Sequence, residues 1–349
     1  GSAEFFAQGA ISILEGLGCI DTLCFGSECG ELSVLQHIAQ LLLSESDTYS
    51  HMLQDALKKG HSFPAARHQA LEKLTGDASV SQILSEPNNI LGIEYLKALK
   101  KQNSRMVPYT LKRDSSGYHD TKLQPQSSSA SAIRNALRHW EKQPFSRYPA
   151  DPQQTPDGFS ELLQNQLPEN ALRLLRDAWN QSCPIETNDF SLLLKYRLLC
   201  ETRRSLCEYQ DISEDLANRI IRNRNQFLNF EQFCQLLKTK ELTYSRISRG
   251  LLHILLAVKK EDMLRYRESS CIYTRILGFR KEHADVLRQI KENASIPVIT
   301  KLGQTDSLLP ETIRMLDQTT FASDLYESVV SDKFGIPFIN EYQKQIIHV

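Results

Sequence analysis

Several short strings in this sequence carry side chains suited to phosphate and nucleotide chemistry. "SASAIRNAL" (129–137) sets Ser129 and Ser131 at the front of a helical pattern, with Arg134 in its first turns. A helix start presents N–H groups without helical partners and carries partial positive charge. One serine caps the helix, the other hydroxyl is left for a phosphate oxygen, and Arg134 adds a bidentate cation. The small residues Ala130 and Ala132 would let a ligand approach the backbone. An ordinary capped surface helix after a Ser-rich loop fits the same string. "CFGSE" (24–28) reads as a strand running out at Gly26, where a flat ring or a ribose could lie against the backbone; a plain turn is the alternative. "PNNILG" (87–92) places Asn88 and Asn89 at a helix start, one to cap and one to pair with a base edge or sugar hydroxyl. "LKRDSSGYHD" (111–120) gathers Arg113, Asp114, Ser115, Ser116, His119 and Asp120. Arg113 at a strand end suits a phosphate clamp, and His119 with Asp120 suits acid–base work or a hydrogen-bonded loop.

The elements that must position these side chains follow from periodicity. Apolar residues at helical spacing predict helices over 3–18, 32–43, 49–60, 63–74 and 85–101. Short apolar runs predict strands at "DTLCFGSE" and "RMVPYTLKR", and a further helix begins near residue 129. Strands alternating with helices make this an α/β pattern. In such sheets ligands bind beyond the carboxyl ends of the strands, where these strings lie. Two strands are few for an independent sheet.

The Pro-rich "QPFSRYPADPQQTPDG" (143–158) reads as a boundary, giving domains 1–142 and 143–349. Beyond it the pattern is mainly helical, through "ALRLLRDAWNQ", "DFSLLLKYRLLCETRRSL", "DISEDLANRIIRN", "FEQFCQLLKTK" and "YSRISRGLLHILLAVKK". Ser213 is placed to cap the helix of "DISEDLANRI". Near the end, "CIYTRILGF", a helix over 281–292 and "IPVIT" read as a small βαβ element.

The whole chain is nearly neutral, with a formal charge of -1 over 349 residues, yet Lys195 to Lys291 holds 20 Lys/Arg against 12 Asp/Glu. That excess is either a solvated helical surface or a patch for a nucleic-acid backbone. The backbone candidates are Arg203, Arg204, Arg219, Arg222, Arg224, Lys238, Lys240, Arg246 and Arg249. Tyr244 and Tyr273 either stack on unpaired bases or pack. The 8 cysteines form no CxxC pair, so no zinc spacing is present and the protein reads as reduced and cytoplasmic. No apolar run approaches a membrane span.

"FFAQGAISIL", "CFGSE", "PNNILGIEYLKAL", "KRDSSGYHD", "SASAIRNAL", "LLKTKELTYSRISR" and "YTRILGF" together closely resemble the bacterial tRNA(Met) cytidine acetate ligases, in order along nearly the whole chain. The resemblance implies a Rossmann-like nucleotidyltransferase domain of the HxGH type followed by a mainly α-helical, tRNA-binding domain. It implies that ATP activates acetate as acetyl-adenylate. The acetyl group then passes to the wobble cytidine of elongator tRNA(Met), giving N4-acetylcytidine, AMP and pyrophosphate. "SASAIR" stands where such enzymes have an ISSTxIR signature, with Ser131 in place of its Thr. Implied ATP contacts are Gly26, Asn88, Arg113, Ser129, Ser131 and Arg134, with Mg²⁺ bridging the phosphates and no organic cofactor. The family's opening "EYNPFHNGH" is not in this sequence, and "KKGHSF" at His61 lacks the first His. The expectation is therefore a chain without its HxGH segment and with weak adenylation. Two other functions fit the residues alone: a non-catalytic RNA-binding protein, and another nucleotidyltransferase acting on a small molecule.

Overall fold

A computed structural model describes residues 3–44, 47–59, 66, 69–73, 78–113, 122–124, 128–140, 162–163, 165–268, 273–305 and 308–348. Two compact units divide the chain. One comprises Gly1–Phe145, Asp157–Pro168 and Glu282–Ile296, the other Ser146–Pro156, Glu169–Lys281 and Pro297–Val349. The Pro-rich boundary string, the loop holding Asp114 to Asp120, and His61 lie outside the described residues, as does half of the helix expected over 63–74.

The first unit is built on α1 (Ala3–Leu17), β1 (Thr22–Ser27), α2 (Leu32–Leu43), α3 (Asp47–Lys58), α4 (Ala78–Ile83), α5 (Pro87–Lys101), β2 (Val107–Lys112) and α6 (Ala130–Trp140). β1 and β2 pair in parallel, with Cys24 opposite Tyr109 and Gly26 opposite Leu111. A parallel pair needs a long crossover, which the chain from α2 to α5 supplies. The sheet alternates as a half-buried sheet should. Phe25 and Ser27 are buried, while Gly26, Val107, Tyr109 and Leu111 are exposed.

α5 packs against α1, α2 and β1 and centres the core. Ile93, Leu96 and Leu99 of α5 join Ile11 of α1, Leu35 and Ile38 of α2, and Phe25. Gly92 lets this helix sit directly on the strand, since a Cβ there would lie 2.6 Å from Phe25 Cε2. The Phe25 ring also meets Tyr95, at 5.8 Å between centroids. The segment 282–296 returns to this unit, where Ser295 N–H donates to Gly16 O at 2.9 Å.

The second unit is mainly helical: α7 (Glu169–Ala178), α8 (Ser191–Cys200), α9 (Arg203–Leu206), α10 (Glu214–Asn223), α11 (Phe230–Leu237), α12 (Tyr244–Leu255) and α13 (Lys260–Glu268). The single helix expected over "DFSLLLKYRLLCETRRSL" is broken after Cys200. Thr202 adopts extended backbone and caps α9, accepting from Ser205 N–H. Ser213 caps α10 as its position predicts, accepting from Leu216 N–H at 3.2 Å. Asn229 and Thr243 do the same for α11 and α12. These caps aim each apolar face at one core of Leu194, Leu198, Tyr209, Ile220, Phe230, Phe233 and Leu251.

The expected strand over "CIYTRILGF" is two short strands, β3 (Thr274–Arg275) and β4 (Gly278–Phe279). The chain changes partner between them. β3 pairs in parallel with β5 (Val298–Ile299), and β4 with β6 (Ile347–His348). α14 (Ala284–Asn293) runs between β4 and β5, and α15 (Pro310–Phe334) is the longest helix described.

Candidate functional site

The carboxyl ends of β1 and β2 bring three of the expected nucleotide residues together. Arg113 N–H donates to Ser27 O at 3.0 Å, so the strand ladder runs one residue past β2. This carries the exposed Arg113 side chain back over Gly26. An ideal Cβ on Gly26 would sit 3.5 Å from Arg113 Cγ. The space over Gly26 is thus bounded by the aliphatic stem of a cation.

Asn88 reaches the same place through Glu28. The residue before α5, Glu86, makes no side-chain cap. Glu28, from the turn after β1, caps α5 instead. Its Oε2 accepts Asn89 N–H at 2.8 Å, and its Oε1 accepts Asn88 Nδ2 at 2.6 Å. A carboxylate against the positive helix start is stabilising. Asn89 answers it: its Oδ1 accepts the N–H groups of Glu28 and Cys29 at 2.9 and 3.1 Å, and its Nδ2 donates to Ile83 O. Neither asparagine plays the role expected of a cap. Asn89 is buried and structural, and Asn88 has committed an amide hydrogen to Glu28 but keeps its Oδ1.

Ser27 completes the turn. Its buried hydroxyl meets Thr110 Oγ1 at 2.7 Å and accepts Gly30 N–H at 3.1 Å. Gly30 has φ +69°, a conformation that disfavours other residues. Sequence reading gave Glu28 and Ser27 no role and offered Asn89 only as a cap or a base-pairing amide. No local pattern marks their actual roles, because the contacts that join the turn to α5 and β2 span 60 or more residues.

The "SASAIR" string forms the start of α6 with a clear division of labour. Ser129 is buried and its Oγ accepts Ala132 N–H at 3.0 Å, making it the cap. Ser131 and the exposed Arg134 share one side of the first turn, 3.5 Å apart. Ala130 is exposed as a ligand approach requires, but Ala132 is fully buried, so it packs rather than clears a path. Ser128 is engaged with Gln124 and Gln166. A cavity of about 550 Å³ in this unit lies at the opposite end of β2, lined by Met106, Pro108, Leu96 and Leu99.

The expected nucleic-acid cations separate into two groups. Arg219 Nε donates to Leu237 O at 3.0 Å, and Arg224 donates to Glu201 O at 3.2 Å; both satisfy carbonyls at helix ends. Arg203 pairs with Glu214, and Arg249 with Asp211. Arg204, Arg222, Lys238, Lys240 and Arg246 are exposed and have no charged partner among the described residues. Tyr244 is half-buried against the core, and Tyr273 donates to Thr319 Oγ1 at 3.0 Å. The described residues contain no group of three or more His, Cys, Asp or Glu able to hold a metal ion. No helix among them is long and apolar enough to cross a membrane. The seven described cysteines are free.

With this geometry in place, the comparisons are specific. A family model described as HIGH Nucleotidyl Transferase matches residues 1–336. A tRNA(Met) cytidine acetate ligase of Caldanaerobacter subterraneus subsp. tengcongensis is 36% identical over 326 residues, covering 93% of this chain and 76% of that protein. One from Clostridium acetobutylicum is 37% identical over 311 residues, covering 86% and 72%. Among solved structures, Thermotoga maritima TmcAL in its apo form I has a TM-score of 0.87 at 26% identity, covering 100% of this chain and 81% of that one. The same protein bound with alpha-thio ATP has a TM-score of 0.84 at 25% identity, with the same coverage. The expectation of an absent HxGH segment is not borne out by these matches, the family model matching from residue 1.

Proposed function

This chain belongs to the HIGH nucleotidyl transferase family, and from that premise we propose that it is an ATP-dependent ligase, a tRNA(Met) cytidine acetate ligase. One observation carries the reading: the chain-long likeness to TmcAL holding alpha-thio ATP. Gly26 under the Arg113 stem at the paired strand ends, with Asn88 held by Glu28 in the adjoining turn, supports it.

In this reading an acetate oxygen attacks the α-phosphorus of ATP. The bond to pyrophosphate breaks, and acetyl-adenylate forms. The exocyclic amine of the wobble cytidine then attacks the acetyl carbon. AMP leaves with the electrons of the broken C–O bond, the amine gives up a proton, and N4-acetylcytidine results. Neither step requires a protein nucleophile. Both require neutralised phosphate charge and aligned reactants.

Arg113 takes phosphate charge at the strand ends. Arg134, the Ser131 hydroxyl and the N–H groups of α6 form the second anion-binding group, with Ser129 holding the cap. Gly26 gives a ring or ribose access to the backbone, and Asn88 offers its Oδ1 to a donor on the nucleotide. Mg²⁺ would enter with ATP and neutralise part of its phosphate charge. Residues 1–142 would serve ATP and residues 143–349 the tRNA. Among the nine candidate cations, Arg204, Arg222, Lys238, Lys240 and Arg246 meet the tRNA backbone. The substrate puts the work in the cytoplasm.

The test is enzymatic. The full-length protein should release pyrophosphate from ATP only when acetate is present, and should leave N4-acetylcytidine in tRNA(Met). Acetate-independent turnover would point to a different nucleotidyltransferase. Binding of tRNA without any binding of ATP would point to a non-catalytic RNA-binding protein. Either result ends the ligase reading.

A further inference from the structure

α8 has two faces, and both are apolar. Leu194 and Leu198 are buried in the core of the second unit. On the opposite side Leu192 is 78% exposed, Tyr196 67% and Leu199 56%. Positions i, i+4 and i+7 lie on one helical face, so these three form a continuous stripe. Leu228, 77% exposed, stands two residues before Phe230, whose N–H donates to Ser191 Oγ at 3.0 Å at the start of the helix.

Exposed large apolar residues in a row signal an interaction surface. The charges around this one select its partner. The only charged residues of α8 are Lys195 and Arg197, both basic. Lys195 is exposed beside Tyr196 and has no charged partner among the described residues. Arg203 and Arg204 follow Leu199 within five residues, and Arg204 is likewise exposed and unpaired. Arg224 crosses the end of the helix, donating to Leu198 O and Glu201 O. The one acid at that end, Glu201, is buried and committed to Tyr209 and Arg197.

An aromatic ring on an apolar rail with cations on its flank is the combination that binds unpaired nucleotides: the ring stacks on a base, and the cations follow the phosphates. We infer that the Leu192–Tyr196–Leu199 face of α8 is a stacking platform for an unpaired base of the tRNA, with Tyr196 as the ring and Lys195 and Arg204 as its phosphate contacts. This rests on the reading of the chain as a tRNA-acting ligase. It moves the stacking role from Tyr244 and Tyr273, whose rings the fold uses in packing, to a tyrosine that the sequence pattern did not single out.

The experiment measures binding of the full-length protein to in vitro transcribed tRNA(Met) across a salt series, for wild type, Tyr196→Ala, Tyr196→Phe and Arg204→Ala, with thermal melting as the folding control. Tyr196→Ala should weaken binding on the order of tenfold, with an unchanged salt slope, because stacking releases no counter-ions. Tyr196→Phe should bind within about twofold of wild type, since it keeps the ring. Arg204→Ala should flatten the salt slope by about one phosphate contact. The inference falls if Tyr196→Ala binds like wild type while Arg204→Ala weakens binding; the tRNA reading then survives without it. It also falls if Tyr196→Ala changes only self-association, which would make the face an interface between copies. If the wild type binds no tRNA, the ligase reading and the platform fall together.

Discussion

Replacing Gly26 by Ala separates the fold from the nucleotide site more cleanly than any other single change. The added Cβ would meet Arg113 Cγ at 3.5 Å, Arg113 Cδ at 3.8 Å and Leu111 O at 4.0 Å, all ordinary van der Waals contacts. Gly26 does not hold a left-handed backbone, so the substitution introduces no strain. Alanine also restricts the unfolded chain, which stabilises a compatible site by about 0.4–1 kcal/mol. The unliganded protein should therefore melt at or slightly above the wild-type temperature. The ligand meets a different situation. If a ribose or adenine ring lies on the Gly26 backbone, one methyl group forces it outward. Overpacking of that kind costs about 1–3 kcal/mol, or roughly 5- to 150-fold in Kd. The assay is calorimetric titration with ATP beside a melting curve of the same preparation. Unchanged ATP affinity would refute the placement of the nucleotide over Gly26. A loss of melting temperature together with affinity would show that the glycine serves the fold.

Other changes probe the surroundings of that site and the second unit. Arg113→Ala should weaken ATP binding by about tenfold while leaving tRNA binding as it was; equal loss of both would make Arg113 structural, and filter binding with both ligands decides. Asn89→Ala strips the partners from two loop N–H groups and a carbonyl, and should cost about 1–3 kcal/mol in urea unfolding. Gly92→Ala improves helix propensity by about 1 kcal/mol, yet its Cβ falls 2.6 Å from the Phe25 ring, so net destabilisation is expected. Relief of that cost by Phe25→Leu in the double variant is the check. Burial by itself would raise the Glu341 carboxyl, but hydrogen bonds from Lys344, Ser323 and Arg275 outweigh it and hold it down at about 2. A carboxylate held low stabilises the fold fully above its ordinary range and loses that contribution as pH falls towards the folded value. Glu341→Gln should therefore cost on the order of 2 kcal/mol at neutral pH, and the gap to wild type should close between about pH 4.5 and 2.

Much of the helical framework was legible because it rests on local rules. Apolar spacing announced α1, α2, α5 and α12, and Ser213 declared the start of α10 one turn ahead. α15 escaped, although it is 25 residues long. Of its buried residues Thr312 and Thr320 are polar types, which blurs the apolar period. The break between α8 and α9 also escaped, because a capping Thr inside a strong helical pattern competes with propensity on nearly equal terms.

Residue order alone set out which residues were available to bind a nucleotide. It supplied a glycine after a strand, an arginine after its neighbour, and a serine-capped helix with an arginine in its first turn. Residue chemistry and helix-start physics are local, and need no knowledge of distant partners. How those residues are employed depends on long-range packing. Parallel pairing of β1 with β2 brought Gly26 under the stem of Arg113, across a crossover of some 80 residues. It brought Glu28 to the start of α5, which tied down Asn88 and made Asn89 structural. It assigned Arg219 and Arg224 to helix ends while leaving Arg204 and Arg222 exposed. A hydrogen bond between residues 60 apart leaves no periodic trace in either segment, so a sequence offers the candidates and the fold selects among them.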